Sequence, residues 1–158
     1  MDANNEELIG QVDACQKRMV ALFESVADDQ DWSPAAGEWS FRFIAAHMAT
    51  VDKECYEDRV VRIAGGGKPF FQSYFNTGRD FSQLELADWI KEWKSTRKEI
   101  IDFVRGLPEA AFAYTGRHEA FGELTVRDVL KLMLDHDGEH IAQLEKIVSE
   151  CKDGKRVR

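Results

Sequence analysis

The sequence predicts an all-α protein that folds as a four-helix bundle with long crossover connections. Four segments of about 20 residues carry apolar side chains at steps of three and four, which places those side chains on one stripe of a helix. No segment shows the alternation of a convincing strand, and two connections exceed the 2–8 residues typical of neighbouring bundle helices. With 158 residues, the chain is long enough for one domain with its own core.

The first two predicted helices cover residues 6–26 and 41–64. Ser40 is the expected N-cap of the second helix, and three consecutive glycines at positions 65–67 are expected to end it. A phosphate-binding loop is the alternative for these glycines, but neither a preceding strand nor a following GK[ST] supports it. The apolar stripe of the first helix consists of Leu8, Val12, Cys15, Met19, Leu22 and Val26. The inward stripe of the second consists of Ile44, His47, Met48, Val51 and Cys55.

The third and fourth helices are both predicted from a capping-box pattern. Ser82 with Glu85 suggests the start of the third helix, and Thr125 with Asp128 suggests the start of the fourth. The apolar stripe of the third consists of Leu86, Ile90, Trp93, Arg97, Ile100 and Val104, before Gly106 and Pro108 end it. The stripe of the fourth consists of Val126, Val129, Met133, His136, His140, Leu144 and Ile147.

Composition excludes several classes of protein. A formal net charge of −8 argues against a nucleic-acid partner, and no apolar run reaches the ~20 residues of a membrane-spanning helix. The first ten residues lack the basic and apolar regions of a secretory signal. Three cysteines without CxxC spacing fit a reducing cytosol, so we expect a cytoplasmic protein. We expect one domain at residues 1–151, followed by a basic, disordered tail at residues 152–158; a binding arm is the alternative.

Three histidines are the candidate metal ligands. His136 and His140 are one helical turn apart, with about 6 Å between their Cβ atoms, which is metal-ligand spacing. Because an HxxxH pair often arises by chance, a site also needs a third ligand, and His47 lies on the inward stripe of another helix. Three neutral imidazoles suit Zn or Ni and leave a coordination position open. The alternative is that each ring only hydrogen-bonds within the core.

Other residues near these histidines leave two interpretations open. Asp137 is the acid nearest the inward stripe, so it could orient a ligand or act as a base, although a solvated helix face is the simpler interpretation. His118 is either a surface residue or a further ligand or substrate contact. Cys55 lies about 12 Å along the axis from His47 and is expected in the core. Gly138 either admits a neighbouring helix or faces solvent. Packing or pocket-lining roles are open for Trp89, Trp93, Phe70, Phe71 and Phe75.

Two sequence segments carry a family resemblance. The segments EWSFRFIAAHM and GELTVRDVLKLMLDHDGEH, nearly ninety residues apart, resemble the DinB/YfiT-like superfamily of metalloenzymes. The resemblance implies that His47, His136 and His140 hold the metal. It also implies a four-helix bundle with an unusual crossover connection, often dimeric, with Zn or Ni in an open site.

The resemblance constrains the reaction less than the site. It implies a thiol S-transferase that uses bacillithiol, mycothiol or glutathione, or else an isomerase or hydrolase, although many members were grouped only by DNA-damage induction. We therefore expect a metal-dependent thiol S-transferase or hydrolase that acts on a small molecule, as a homodimer. The alternative is a non-catalytic stress-related or interaction module in which the metal only adds stability.

Overall fold

A computed structural model describes residues 1–156 of the chain. Its four long helices confirm the predicted bundle, and the second of them is built from three consecutive segments. The helical elements are α1 (Ala3–Glu24), α2 (Phe41–Val51), a π-helical turn (Asp52–Tyr56), α3 (Glu57–Ala64), α4 (Leu86–Arg105) and α5 (Val126–Arg156). Short 3-10 turns lie at Ala27–Asp29 and Glu109–Ala113.

The helix starts follow their capping residues in two of the three cases where a cap was predicted. Ser40 accepts a hydrogen bond from the Phe43 amide, as expected. Thr125 and Asp128 form the reciprocal capping box, with Asp128 N donating to Thr125 Oγ1 at 3.2 Å and Thr125 N donating to Asp128 Oδ2 at 2.9 Å. The prediction for Ser82 is wrong. Helix α4 begins at Leu86, whose amide donates to the side chain of Gln30 at 2.8 Å, so a distant residue replaces the local cap.

Three short strands lie in the connections, where the sequence showed no convincing strand. They are β1 (Phe70–Phe71), β2 (Gly116–His118) and β3 (Gly122–Leu124). Strand β2 pairs in parallel with β1 and antiparallel with β3. Because the strands have two or three residues each, they are too short to show a period-two pattern. The small sheet joins the two long connections, and a Cβ at Gly116 would lie 2.6 Å from the ring of Phe71.

The predicted disordered tail is wrong for residues 152–156. Helix α5 continues to Arg156, with Cys151 buried in the bundle and Lys155 paired with Asp29. The ion pair with Asp29 holds the last turns of the helix against the start of the connection between α1 and α2. The remaining residues, 157–158, lie outside the described part of the chain.

The bundle core consists of two apolar clusters with polar side chains between them. Helix α1 packs mainly against α5, and α2 packs mainly against α4. One cluster contains Phe23, Ile44 and Leu144, and the other contains Val12, Ile100 and Met133. Each long helix contributes a polar group where the clusters meet, and these groups are Gln16, His47, Asp52, Arg97, His136, Asp137 and His140. No helix among the described residues is long and apolar enough to cross a bilayer.

Candidate metal centre

The three histidines predicted to converge do meet between α2 and α5. The Nε2 atoms of His47 and His140 each lie 3.1 Å from Nε2 of His136. One nitrogen from each ring lies within 4.8 Å of the other two. Tetrahedral coordination with metal–nitrogen bonds of 2.0–2.1 Å separates ligand nitrogens by about 3.3 Å. The spacing of the three rings is therefore close to that of a histidine metal site.

Two amide side chains fix the protonation of the outer rings. His47 Nδ1 donates to Asn76 Oδ1 at 2.6 Å, and His140 Nδ1 donates to Gln143 Oε1 at 2.8 Å. Because an amide oxygen can only accept, each ring carries its proton on Nδ1 and has a lone pair on Nε2. Thr50 fixes the orientation of Asn76, since its hydroxyl donates to the Ala46 carbonyl and accepts from Asn76 Nδ2.

His136 completes a donor set that fits a cation. Its Nε2 faces two lone pairs, although a neutral ring has one N–H to share between its two nitrogens. Its Nδ1 is buried without a hydrogen-bond partner among the described residues. With the proton on Nδ1, the Nε2 atoms of all three rings present lone pairs to a common point. Neutral imidazoles arranged in this way suit Zn or Ni.

The protein environment favours neutral rings. Burial, followed by the nearby His140, lowers the pKa of His47 to about 4, although the hydrogen bond to Asn76 opposes this shift. Burial also lowers the pKa of His136 to about 3, with further contributions from His140, His47 and Arg97. Both rings are therefore neutral at pH 7, which is the form that binds a metal.

The histidine cluster lies between two cavities. His47 and His136 line a cavity of about 310 Å³, whereas His140 lines a second cavity of about 680 Å³. The Trp39 ring packs against the cluster, with its centroid 4.9 Å from that of His47 and 6.0 Å from that of His140. Tyr56 approaches His136 edge-on from the side of the smaller cavity. A small molecule could therefore reach the cluster from either side.

Asp137 is buried in an ion pair that joins helices α4 and α5. Its two carboxylate oxygens accept from Arg97 at 2.7 and 3.1 Å, and Arg97 also binds Asp52 through two hydrogen bonds. All three side chains are at most 1% exposed, and Trp93 Nε1 donates to Asp52. Burial alone would lower the pKa of Arg97, but the two carboxylates raise it above its ordinary value. The interpretation of Asp137 as part of a solvated helix face is therefore wrong, whereas its role as a base stays a prediction.

The other candidate residues from the sequence differ in whether they are buried or exposed. His118 is 2% exposed, so the expectation of a surface residue is wrong, and it lies outside the three-histidine cluster. Cys55 is in the core as expected, and burial raises the pKa of its thiol to about 11. Gly138 faces solvent, since nothing lies within 4 Å of a Cβ built there. Of the aromatic candidates, Trp89, Trp93 and Phe71 are buried in the core, whereas Phe70 and Phe75 are exposed.

Sequence reasoning missed several residues around the cluster. Gln143 follows His140 by three positions, so helical spacing alone could have identified it as a neighbour. Arg97 is a charged residue on an apolar stripe, and this could have indicated a buried acid as its partner. Asn76 offered no signal, because it lies in a connection 29 residues from His47. Tyr56 was missed because the π-helical turn changes which side chains face inward after Val51.

Comparisons with known proteins give the family. A family model for the DinB superfamily matches residues 11–144. A solved structure of YfiT from Bacillus subtilis, described as a probable metal-dependent hydrolase with an unusual four-helix bundle topology, superposes with a TM-score of 0.80. The superposition covers 96% of this chain and 90% of that chain at 16% identity, so it shows a shared fold. No curated protein sequence matches the chain. Because the family model covers most of its length, this chain belongs to the DinB superfamily.

Proposed function

We propose that this chain is a metal-dependent enzyme that acts on a small molecule at the three-histidine centre. The observation that carries the proposal is the convergence of the three Nε2 atoms with two ring protons held on the opposite nitrogens. A divalent ion bound there supplies Lewis acidity, which lowers the pKa of a water or thiol that coordinates it. Zn and Ni are the candidate ions, because both accept imidazole ligands.

The residues around the centre have two roles, which are to orient the ligand histidines and to donate a hydrogen bond to the substrate. Asn76 and Gln143 hold the protons of His47 and His140 on Nδ1, which keeps both rings oriented as ligands. Tyr56 lines the smaller cavity, and burial raises the pKa of its phenol well above its usual range, with smaller contributions from Cys55 and nearby carboxylates. Tyr56 therefore keeps its proton and serves as a hydrogen-bond donor to a substrate oxygen.

Thiol S-transfer is the reaction that the smaller cavity supports best. Among the described residues that line it there is no carboxylate, and Asp137 is neutralised by Arg97. A thiol has an ordinary pKa of about 8.5, so it needs less assistance from a base than water does. Bacillithiol, mycothiol and glutathione are the candidate thiols. Hydrolysis is the second candidate, supported by the shared fold with YfiT and its description as a probable metal-dependent hydrolase.

An activity screen tests this proposal. Protein purified without a histidine tag and loaded with Zn or Ni is assayed for conjugation of each thiol to 1-chloro-2,4-dinitrobenzene, and separately for ester and amide hydrolysis. We expect metal-dependent conjugation that His136→Ala abolishes and that Glu139→Gln, an exposed substitution on the same helix, leaves unchanged. Hydrolysis without conjugation would select the second candidate. If neither activity appears and metal only raises Tm, the chain is a non-catalytic module.

The chain is further proposed to form a homodimer in the cytoplasm. A homodimer is supported by the family, whose members are often dimeric, and sedimentation at micromolar concentration tests it, with a monomeric mass as the contradicting result. A cytoplasmic location is supported by the three cysteines, which are all free thiols in the structure. Fractionation of cells that produce the protein tests the location.

A further inference from the structure

Arg59 is a buried cation without an anionic partner. Its side chain lines the cavity that begins at His47 and His136, and the residue is 6% exposed. One guanidinium nitrogen donates to the Gln72 carbonyl at 3.2 Å, and no carboxylate among the described residues lies within 4.0 Å. Burying an unpaired charge is costly, and a bound anion would offset that cost.

The acids nearest to Arg59 in the chain are engaged elsewhere. Asp58 pairs with Arg62 at 3.3 Å, and Glu57 pairs with Lys53 at 2.8 Å. Glu54 pairs with Arg79 and accepts from the hydroxyl of Tyr74. The other buried arginine, Arg97, differs from Arg59 because its guanidinium is paired with two carboxylates. The guanidinium of Arg59 lies 5.8 Å from the centroid of the Phe71 ring, and Arg59 also lines a neighbouring pocket beside Glu54 and Asp58. Its charge is nevertheless left without a carboxylate within ion-pair distance among the described residues.

His118 places a second donor in the same cavity. Its Nδ1 accepts from the amides of Ala120 and Phe121 at 3.0 and 3.2 Å, so the neutral ring carries its proton on Nε2. That Nε2 has no hydrogen-bond partner within residues 1–156 and, unlike Nδ1 of His136, it is open to the cavity or to solvent. Both Arg59 and His118 line this cavity. Burial and then the charge of Arg59 lower the pKa of His118, whereas the neighbouring Glu119 opposes this shift, so the ring is neutral at pH 7.

The cavity connects these donors to the histidine cluster. Arg59 follows His47 by twelve residues on one continuous helix, so their Cα atoms are at most about 18 Å apart along the axis, and the Arg59 side chain leans back toward the N-terminus. The exposed lining of the cavity is mainly apolar, with the Tyr56 ring centroid 6.0 Å from that of His136 and the Phe121 ring centroid 4.6 Å from that of His118. The cavity thus combines two of the candidate metal ligands, a mainly apolar lining and a cation, Arg59.

From this arrangement we propose that Arg59 and His118 bind the carboxylate of a largely apolar substrate in this cavity. The assignment of the histidine cluster as the reacting site rests on the proposed function, whereas the anion site rests on Arg59 and His118 themselves. A guanidinium and one imidazole N–H match the two oxygens of a single carboxylate. A phosphate monoester carries up to two charges at pH 7, and one cation compensates it less completely.

Calorimetric titration with three matched probes tests the proposal. The probes are 4-phenylbutanoate, its uncharged amide, and 4-phenylbutyl phosphate, and the protein is the full chain with its zinc content measured. We expect the acid to bind at least tenfold more tightly than the amide, and the Arg59→Gln variant to lose that preference while its zinc content stays the same. Arg62→Gln is the control, because Arg62 is on the same helix but is paired with Asp58 at the surface, and it should keep the preference.

A second variant separates binding from folding. His118→Asn retains a side-chain group that can accept from the Ala120 amide but removes the Nε2 donor, so it should weaken the acid severalfold with unchanged circular dichroism. Equal binding of acid and amide by the wild type, or full preference in Arg59→Gln, would overturn the proposal. Tighter binding of the phosphate would overturn the choice of carboxylate. A chain that takes up no metal but still prefers the acid would refute the proposed function and leave the anion site standing.

Discussion

Replacing Arg97 with methionine is expected to destabilise the bundle severely. Arg97 donates five hydrogen bonds, four of them to the carboxylates of Asp52 and Asp137 and one to the Val12 carbonyl. Methionine has a similar length but no charge, so both carboxylates would lose their cation in a site that water does not reach. Breaking a buried ion pair costs about 3–5 kcal/mol, and two stranded acids place this variant near the upper value.

Urea unfolding at pH 7, followed by far-ultraviolet circular dichroism with EDTA present, measures this loss. A decrease of about 5 kcal/mol corresponds to a lower Tm by about 10–20 °C for a chain of this size. The matched control is Arg18→Met, because Arg18 also links two helices through an acid, Glu145, but is 58% exposed. It should cost less than about 1 kcal/mol. A loss below about 1 kcal/mol in Arg97→Met would refute the stabilising role of the ion pair between Arg97 and Asp137.

Three further predictions concern the histidine cluster and its helix. Asn76→Leu removes the acceptor for the ring proton of His47 and should weaken zinc binding by about 10–100-fold in a competition titration; an unchanged Kd would contradict the role of Asn76. In metal-free protein the pKa values of His47 and His136 are lowered to about 4 and about 3. Because an unfolded histidine has a pKa of about 6.5, the unfolded chain takes up protons before the folded chain does as the pH falls below that value. The free energy of unfolding should therefore be highest above that pH and decline toward pH 4, by about 3 kcal/mol from His47. A free energy of unfolding by urea that does not change with pH over this range would refute this. Gly138→Ala should stabilise the protein by about 1 kcal/mol with zinc binding retained, because a methyl group there meets open space; thermal unfolding that shows a lower Tm would contradict this.

The bundle was predictable because its signals are local. Apolar residues at helical spacing placed the second helix at the residues where the structure has it, including the cap at Ser40. The reciprocal cap at Thr125 and Asp128 was likewise visible in four consecutive residues. The meeting of His47 with the HxxxH pair followed from stripes that must face one core.

The missed features depend on contacts between distant segments. The helix expected from Ser82 starts later because Gln30 caps it from another connection. Strand pairs of two or three residues leave no pattern in the sequence, so the small sheet could not be read from it. The burial of Asp137 was missed because its partner Arg97 lies on another helix, and no spacing rule predicts the π-helical turn that contributes Asp52 to the same arginine.

The most direct test of the metal centre is the metal content of wild-type protein and of His136→Ala, both purified without a histidine tag and dialysed against zinc or nickel. His136 is the ring that both other histidines contact at 3.1 Å, so its loss removes the centre of the donor set. We predict one ion per wild-type chain and almost none in His136→Ala, with unchanged helical content because the apolar clusters remain. A wild-type chain that binds neither ion, or a variant that binds a full equivalent, would contradict the account.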